Sequence, residues 1–194
     1  MFKNHLKKTV IITALFTLIG CSSVPTDINI NPELNLALGQ HSFNSELTWQ
    51  VNSQDLRVAR HLVQIGDDDE AAQLINEQQS LRLLLQKNLT NAWLGNKLKI
   101  TPQSDYKIDI KLMKALATAT EAVLTYEVKS QLIIKIQLTH QGKKFVKLFR
   151  SNNQWKAPFS TDVTRITEEL NTQLSELLSQ IIQDEEMNAR LQQF

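Results

Sequence analysis

The chain has 194 residues, 42% hydrophobic and 21% charged, enough for one ordinary core and too short to expect several domains. A formal charge of +1 offers no broad basic surface for nucleic acid, and 5 Gly and 4 Pro argue against low complexity. The single cysteine, Cys21, rules out an internal disulfide framework and a cysteine-rich zinc site.

Lys3, Lys7 and Lys8 precede an apolar run over residues 10–19 that only Thr13 and Thr17 soften. A basic start and a short apolar stretch predict a signal peptide over residues 1–20, too short to span a bilayer. The run ends in Leu18-Ile19-Gly20-Cys21, which resembles a bacterial lipobox. That resemblance implies a diacylglyceryl group on the Cys21 sulfur, cleavage just before it and an acyl chain on the new amine. No other cofactor is expected. Two or more acyl chains give stable anchoring. Ser22 stands where an Asp would mean inner-membrane retention, so the resemblance implies the outer membrane, periplasmic face. Cleavage removes three lysines and no acid, taking the net charge from +1 to −2. Polybasic attraction to lipid headgroups is therefore not expected, and the acyl chains hold the domain.

Residues 21–40 read as the lipidated cysteine and an extended tether, with Leu34, Leu36 and Leu38 alternating as an edge strand would. Residues 41–194 read as one domain. Leu47, Trp49 and Val51 alternate as a half-buried strand, and a second apolar run covers residues 58–65. The acidic residues 67–70 predict a turn, and 71–75 a short return strand. Ser80 is the expected N-cap of a helix carrying Leu81, Leu84, Leu85, Leu89 and Trp93, with Gly95 as its left-handed stop. Strict alternation from Tyr106 to Leu112, from Ala122 to Leu138 and again from Phe145 predicts the strands of a meander. Its turn is expected over 118–121, a bend at Ser130 and a hairpin at Gln141-Gly142. Asp162 then caps a long helix whose stripe includes Val163, Ile166, Leu170, Leu174, Leu177 and Ile181. Acids at positions 184–186 suit a helix C-terminus poorly, so a projecting or frayed tail is expected beyond them. The predicted class is α+β, an antiparallel β-sheet meander with two α-helices packed on one face.

Chemistry is harder to find. Residues 67–70 lack the alternating ligands, Gly and terminal Glu of a calcium loop and read as a solvated turn. His41, His61 and His140 have no metal-ligand spacing, so no metal is expected. There is no Gly-x-Ser-x-Gly elbow and no phosphate loop, and adjacent Glu168 and Glu169 point in different directions on a helix. Trp49, Trp93 and Trp155 fit core packing better than a glycan groove. Asp55 and Arg57 stand out as a structural or partner-binding pair.

The mature chain resembles the YajG-type lipoproteins of gammaproteobacteria. The resemblance lies in the lipobox before Cys21, Asn31-Pro32, Asp55-x-Arg57, Leu81-Arg82-x-Leu84-Leu85-Gln86, Tyr126 and Arg150. The family carries no established catalytic residues, so the resemblance implies location and fold and no reaction. The expected protein is a non-enzymatic, membrane-anchored lipoprotein of the Gram-negative envelope that binds or scaffolds an envelope protein from the periplasmic side, with no nucleic-acid partner. A lipid or glycan carrier, or an assembly accessory factor, would need an open apolar groove between sheet and helices. An envelope hydrolase would need His, Ser and Asp side chains converging in a cleft.

Overall fold

The period-2 pattern in the middle of the sequence becomes three antiparallel strands of 16 residues each. The computed structural model describes residues 25–34, 42–44, 46–66 and 71–194. Cys21 and the signal peptide, the alternation at Leu36 and Leu38, His41 and the acidic residues 67–70 lie outside them. In chain order the elements are β1 (Asp27–Ile28), β2 (Thr48–Asp55), β3 (Val63–Ile65), β4 (Gln73–Glu77), α1 (Leu81–Gly95), β5 (Lys99–Ile100), β6 (Tyr106–Glu121), β7 (Thr125–His140), β8 (Lys143–Pro158), α2 (Val163–Gln183) and α3 (Glu185–Gln193).

Strands β6, β7 and β8 form the expected meander. The second hairpin turns at Gln141 and Gly142, both at positive φ (47° and 82°), the backbone that a tight two-residue turn requires. The first turn sits at 122–124 rather than 118–121, because Thr118 and Thr120 stay in the ladder opposite Lys129 and Glu127. Ser130 makes no bend. It is buried in the strand and its hydroxyl donates to Gln173 Oε1 at 2.7 Å, while Gln173 Nε2 donates to the Ser151 hydroxyl at 3.1 Å. A polar residue on the apolar face is thus satisfied from the covering helix.

The other edge of β6 departs from the predicted antiparallel sheet. β2 pairs parallel with residues 106–112 and β3 pairs parallel with residues 117–119, so the sheet is mixed. β5 adds parallel to β2, and β4 and β1 continue beyond β3. The physical reason is α1. A helix between β2 and β6 makes that connection a crossover, which returns the chain in the same direction. Of the run 58–65 only Val63–Ile65 is strand, because residues 56–62 bridge the gap along the β6 edge between Leu112, where β2 stops pairing, and Ala117, where β3 starts.

All three helices contribute to the buried side. α1 packs on β2, β5 and β6, and α2 lies beside it on β7 and β8. Ser80 occupies the N-cap position of α1 without a side-chain capping bond. Gly95 is the last helical residue; the left-handed position falls on Lys97 (φ 67°), whose N–H donates to Leu94 O at 2.9 Å. Asp162 caps α2 as expected, accepting the N–H groups of Thr164 and Arg165 at 2.9 and 3.2 Å. The expected frayed tail is instead α3, a third helix. Asp184 accepts the N–H of Met187 at 2.8 Å and Lys147 binds both Asp184 and Glu186, which puts the acids at a helix N-terminus where the dipole favours them. Met187 and Leu191 are fully buried, and the Trp49 indole donates to Leu191 O at 3.2 Å. Within the segment read as a tether, Asp27–Ile28 form β1, and Ile28 and Ile30 are buried in the core.

Candidate functional site

The alternation that buries one face of the long strands leaves the other bare among the described residues. Ile108, Ile110, Leu112, Ile134, Ile136 and Leu138 face the helices and are essentially inaccessible, as are Leu174, Leu177, Leu178 and Ile181 opposite them. At these positions the sheet and the helices pack directly on one another. On the opposite face, strand register aligns Lys111, Lys135 and Leu148 in one row and Lys114, Ile133 and Arg150 in the next. Lys107 and Lys144 extend this surface at one end, Lys129 and Lys156 at the other. Against eight cations stand two acids, Asp109 and Glu127.

Glu127 is held below the usual carboxylate range by its hydrogen bond to Lys156 and the charges of Lys129 and Lys156, 3.5 and 3.3 Å away. Among the described residues Lys107, Lys114, Lys135, Lys144 and Arg150 have no ion-pair partner, and Lys111 reaches only the Gln137 amide at 3.2 Å. Two apolar side chains, Val146 and Leu148, sit among these cations 51% and 40% exposed. On the helical side the acids Glu168, Glu169, Glu176, Glu185 and Glu186 are mixed with Arg82, Lys87, Arg165 and Arg190. A net charge near zero therefore conceals one basic face.

Two depressions meet on the bare face at Lys114 and Leu116. One, of about 400 Å³, is lined by Thr118, Lys129, Gln131, Asn152 and Gln154 as well. The other, of about 250 Å³, runs from Met113 to Arg57, Val58 and Ala59. Arg57, of the Asp55–Arg57 pair read from the sequence, lines it. Arg57 Nε and one terminal nitrogen fork onto the Asp55 carboxylate at 3.0 and 2.7 Å, and that same nitrogen reaches Glu77 at 2.7 Å. The other terminal nitrogen donates to Arg60 O at 3.2 Å. Burial opposes the Arg57 charge, but the hydrogen bonds to Asp55 and Glu77 outweigh it and raise its pKa. Asp55 is lowered in turn, chiefly by the Arg57 side chain.

This cluster occupies the one place where β6 changes partners. β2 stops pairing with β6 at Leu112, β6 bulges at Met113, and β3 begins pairing at Ala117. The Arg57 fork ties the end of β2 to the end of β4 across that gap.

Other singled-out residues are structural. Arg82 donates to the Ser53 hydroxyl at 2.8 Å and that hydroxyl donates to Gln86 Oε1 at 2.6 Å, fastening α1 to β2. Trp49, Trp93 and Tyr126 are in the core, and Trp155, half-buried, carries Arg165 4.5 Å above its ring. His140 stacks on Tyr106 at 3.7 Å, and among the described residues no group of three His, Cys, Asp or Glu side chains could hold a metal. Of the described residues that carried the family resemblance, Arg150 lies on the bare face and Arg57 lines one of its depressions. The sequence hid that surface because lysines in alternating strands read one by one as solvated positions.

A family model described as "Uncharacterized lipoprotein" matches residues 32–192. The uncharacterized lipoprotein YajG of Escherichia coli K12 is 25% identical over 194 residues, covering all of this chain and 98% of that one. Among solved structures, a Xanthomonas campestris protein of the DUF330 family superposes with a TM-score of 0.53 at 13% identity, covering 87% of this chain and 97% of its own. A minor lipoprotein of Acinetobacter baumannii gives 0.39 at 12% identity, over 73% of this chain and 93% of its own. The length of the family match, spanning β2 to β8 and the three described helices, places this chain within that family of uncharacterized lipoproteins.

Proposed function

We propose that the protein is an outer-membrane lipoprotein, held by acyl chains on Cys21 and facing the periplasm, that works by binding an envelope protein through the bare face of its sheet. The observation that carries this reading is the segregation of eight cations and two exposed apolar side chains onto one uncovered face. A protein partner presenting acids around a small apolar patch complements it. Such charge matching steers association and selects partners more than it adds affinity. The Asp55, Arg57 and Glu77 cluster contributes by fixing the shape of the adjacent depression. No residue is assigned a catalytic role, and the reading is of a scaffolding module.

In-cell photocrosslinking separates the two sides of the molecule. A crosslinker at Leu148 is expected to give a discrete protein adduct that Lys111→Glu with Lys135→Glu reduces at least tenfold. The same probe at Glu176, on α2, should give none. Equal adducts from both sides, or an adduct indifferent to the charge reversals, would refute the surface assignment.

A further inference from the structure

Two turns meet at one end of the long strands and hold three large apolar side chains in solvent. Val123 and Leu124, between β6 and β7, are 98% and 74% exposed, and Phe159, just after β8, is 79% exposed. Phe159 has φ +70°, a left-handed conformation that a bulky residue adopts only under strain. Its N–H donates to Leu124 O at 2.9 Å, and the Glu121 carboxylate accepts the N–H of Thr161 at 2.9 Å. These bonds lock the two turns together, so the apolar cluster is built into the fold. Turns ordinarily carry Gly, Pro, Asn, Asp and Ser, and clustered exposed hydrophobes mark a contact surface.

The position of the cluster indicates what it contacts. Pro25 shares a depression of about 530 Å³ with Phe159, Pro158 and Thr161. Cys21 is four residues earlier in the chain, within ~14 Å even when fully extended. We propose that Val123, Leu124 and Phe159 insert into the bilayer that holds the acyl chains of Cys21. The proposal rests on the anchor reading above. The acyl chains supply attachment and the tip supplies orientation: the hairpin at Gln141, about 50 Å away along β7, points into the periplasm and the bare sheet face stands upright beside the membrane.

The test uses the full acylated chain, purified from membranes and reconstituted into phosphatidylethanolamine–phosphatidylglycerol vesicles. Leu124→Cys or Lys144→Cys carries a small fluorophore, Cys21 being blocked by its lipid. Flotation comes first: a chain that does not float with vesicles overturns the anchor reading and this proposal with it. For a chain that floats, the label at position 124 should be quenched by spin-labelled lipid and shielded from aqueous iodide, and the label at 144 the reverse. Val123→Ser with Phe159→Ser should lower lipid quenching at position 124 at least twofold while flotation and melting temperature hold. A floating chain whose two labels meet iodide equally, or a double variant with undiminished quenching, would overturn the tip proposal alone.

Discussion

Arg57→Met is expected to destabilise the domain by about 3 kcal/mol, the lower end of what breaking a buried ion pair costs, since both carboxylates keep a rim of solvent. For a domain of this size that is a fall of roughly 6–12 °C in melting temperature. The loss comes from leaving Asp55 and Glu77 without the cation that both were folded around. Arg57→Lys should recover little, because an ammonium cannot reproduce a fork that reaches two carboxylates and the Arg60 carbonyl together. The pH dependence gives the sign. Arg57 lowers the Asp55 pKa, so the stability it contributes is fully present above the ordinary carboxylate value near 3.9 and is lost as pH falls through the lower folded value. Denaturant titrations at pH 7 and pH 3 should therefore find the gap between wild type and Arg57→Met shrinking in acid. A gap that stayed constant or widened would mean that the fork is not what holds β2 to β4.

Trp49→Ala should cost about 3–5 kcal/mol, the range for emptying a fully buried tryptophan site. Its ring meets Tyr106 and Phe194 edge-on at 5.3 and 5.8 Å, and its indole N–H is the hydrogen bond from β2 to α3. Hydrogen exchange in the variant is expected to accelerate most over Glu185–Gln193, beyond the global change. Unaltered protection there would restore the projecting tail that the acids at 184–186 suggest when read alone.

Much of the fold is legible in the sequence because period-2 and period-3.6 patterns are local. The long meander, both early helices, the Asp162 cap and the hairpin at Gln141 all follow from nearest neighbours in the chain. Strand direction is not local, since nothing in the run from Trp49 to Val51 distinguishes parallel from antiparallel pairing. The one available signal is α1, whose presence between two strands implies a crossover. The Ser130 bend and the α3 tail misread polar residues whose partners, Gln173 and Lys147, lie 43 and 37 positions away. Asp55 and Arg57 could be read as a pair because they are two residues apart. Glu77 could not, and neither could the basic face, which exists only once three strands are in register. Net charge is a sum over the surface and carries no information about how that surface is divided.

The proposed orientation and partner surface both follow from the acyl anchor at Cys21. Intact-mass and N-terminal peptide analysis of the protein extracted from cell membranes tests it directly. The expected product begins at Cys21 and carries a diacylglyceryl group and an N-acyl chain, while Cys21→Ser accumulates as unacylated precursor. A native protein that retains residues 1–20, or begins at Cys21 with a free thiol, would contradict the anchor, the orientation and the partner surface that follow from it.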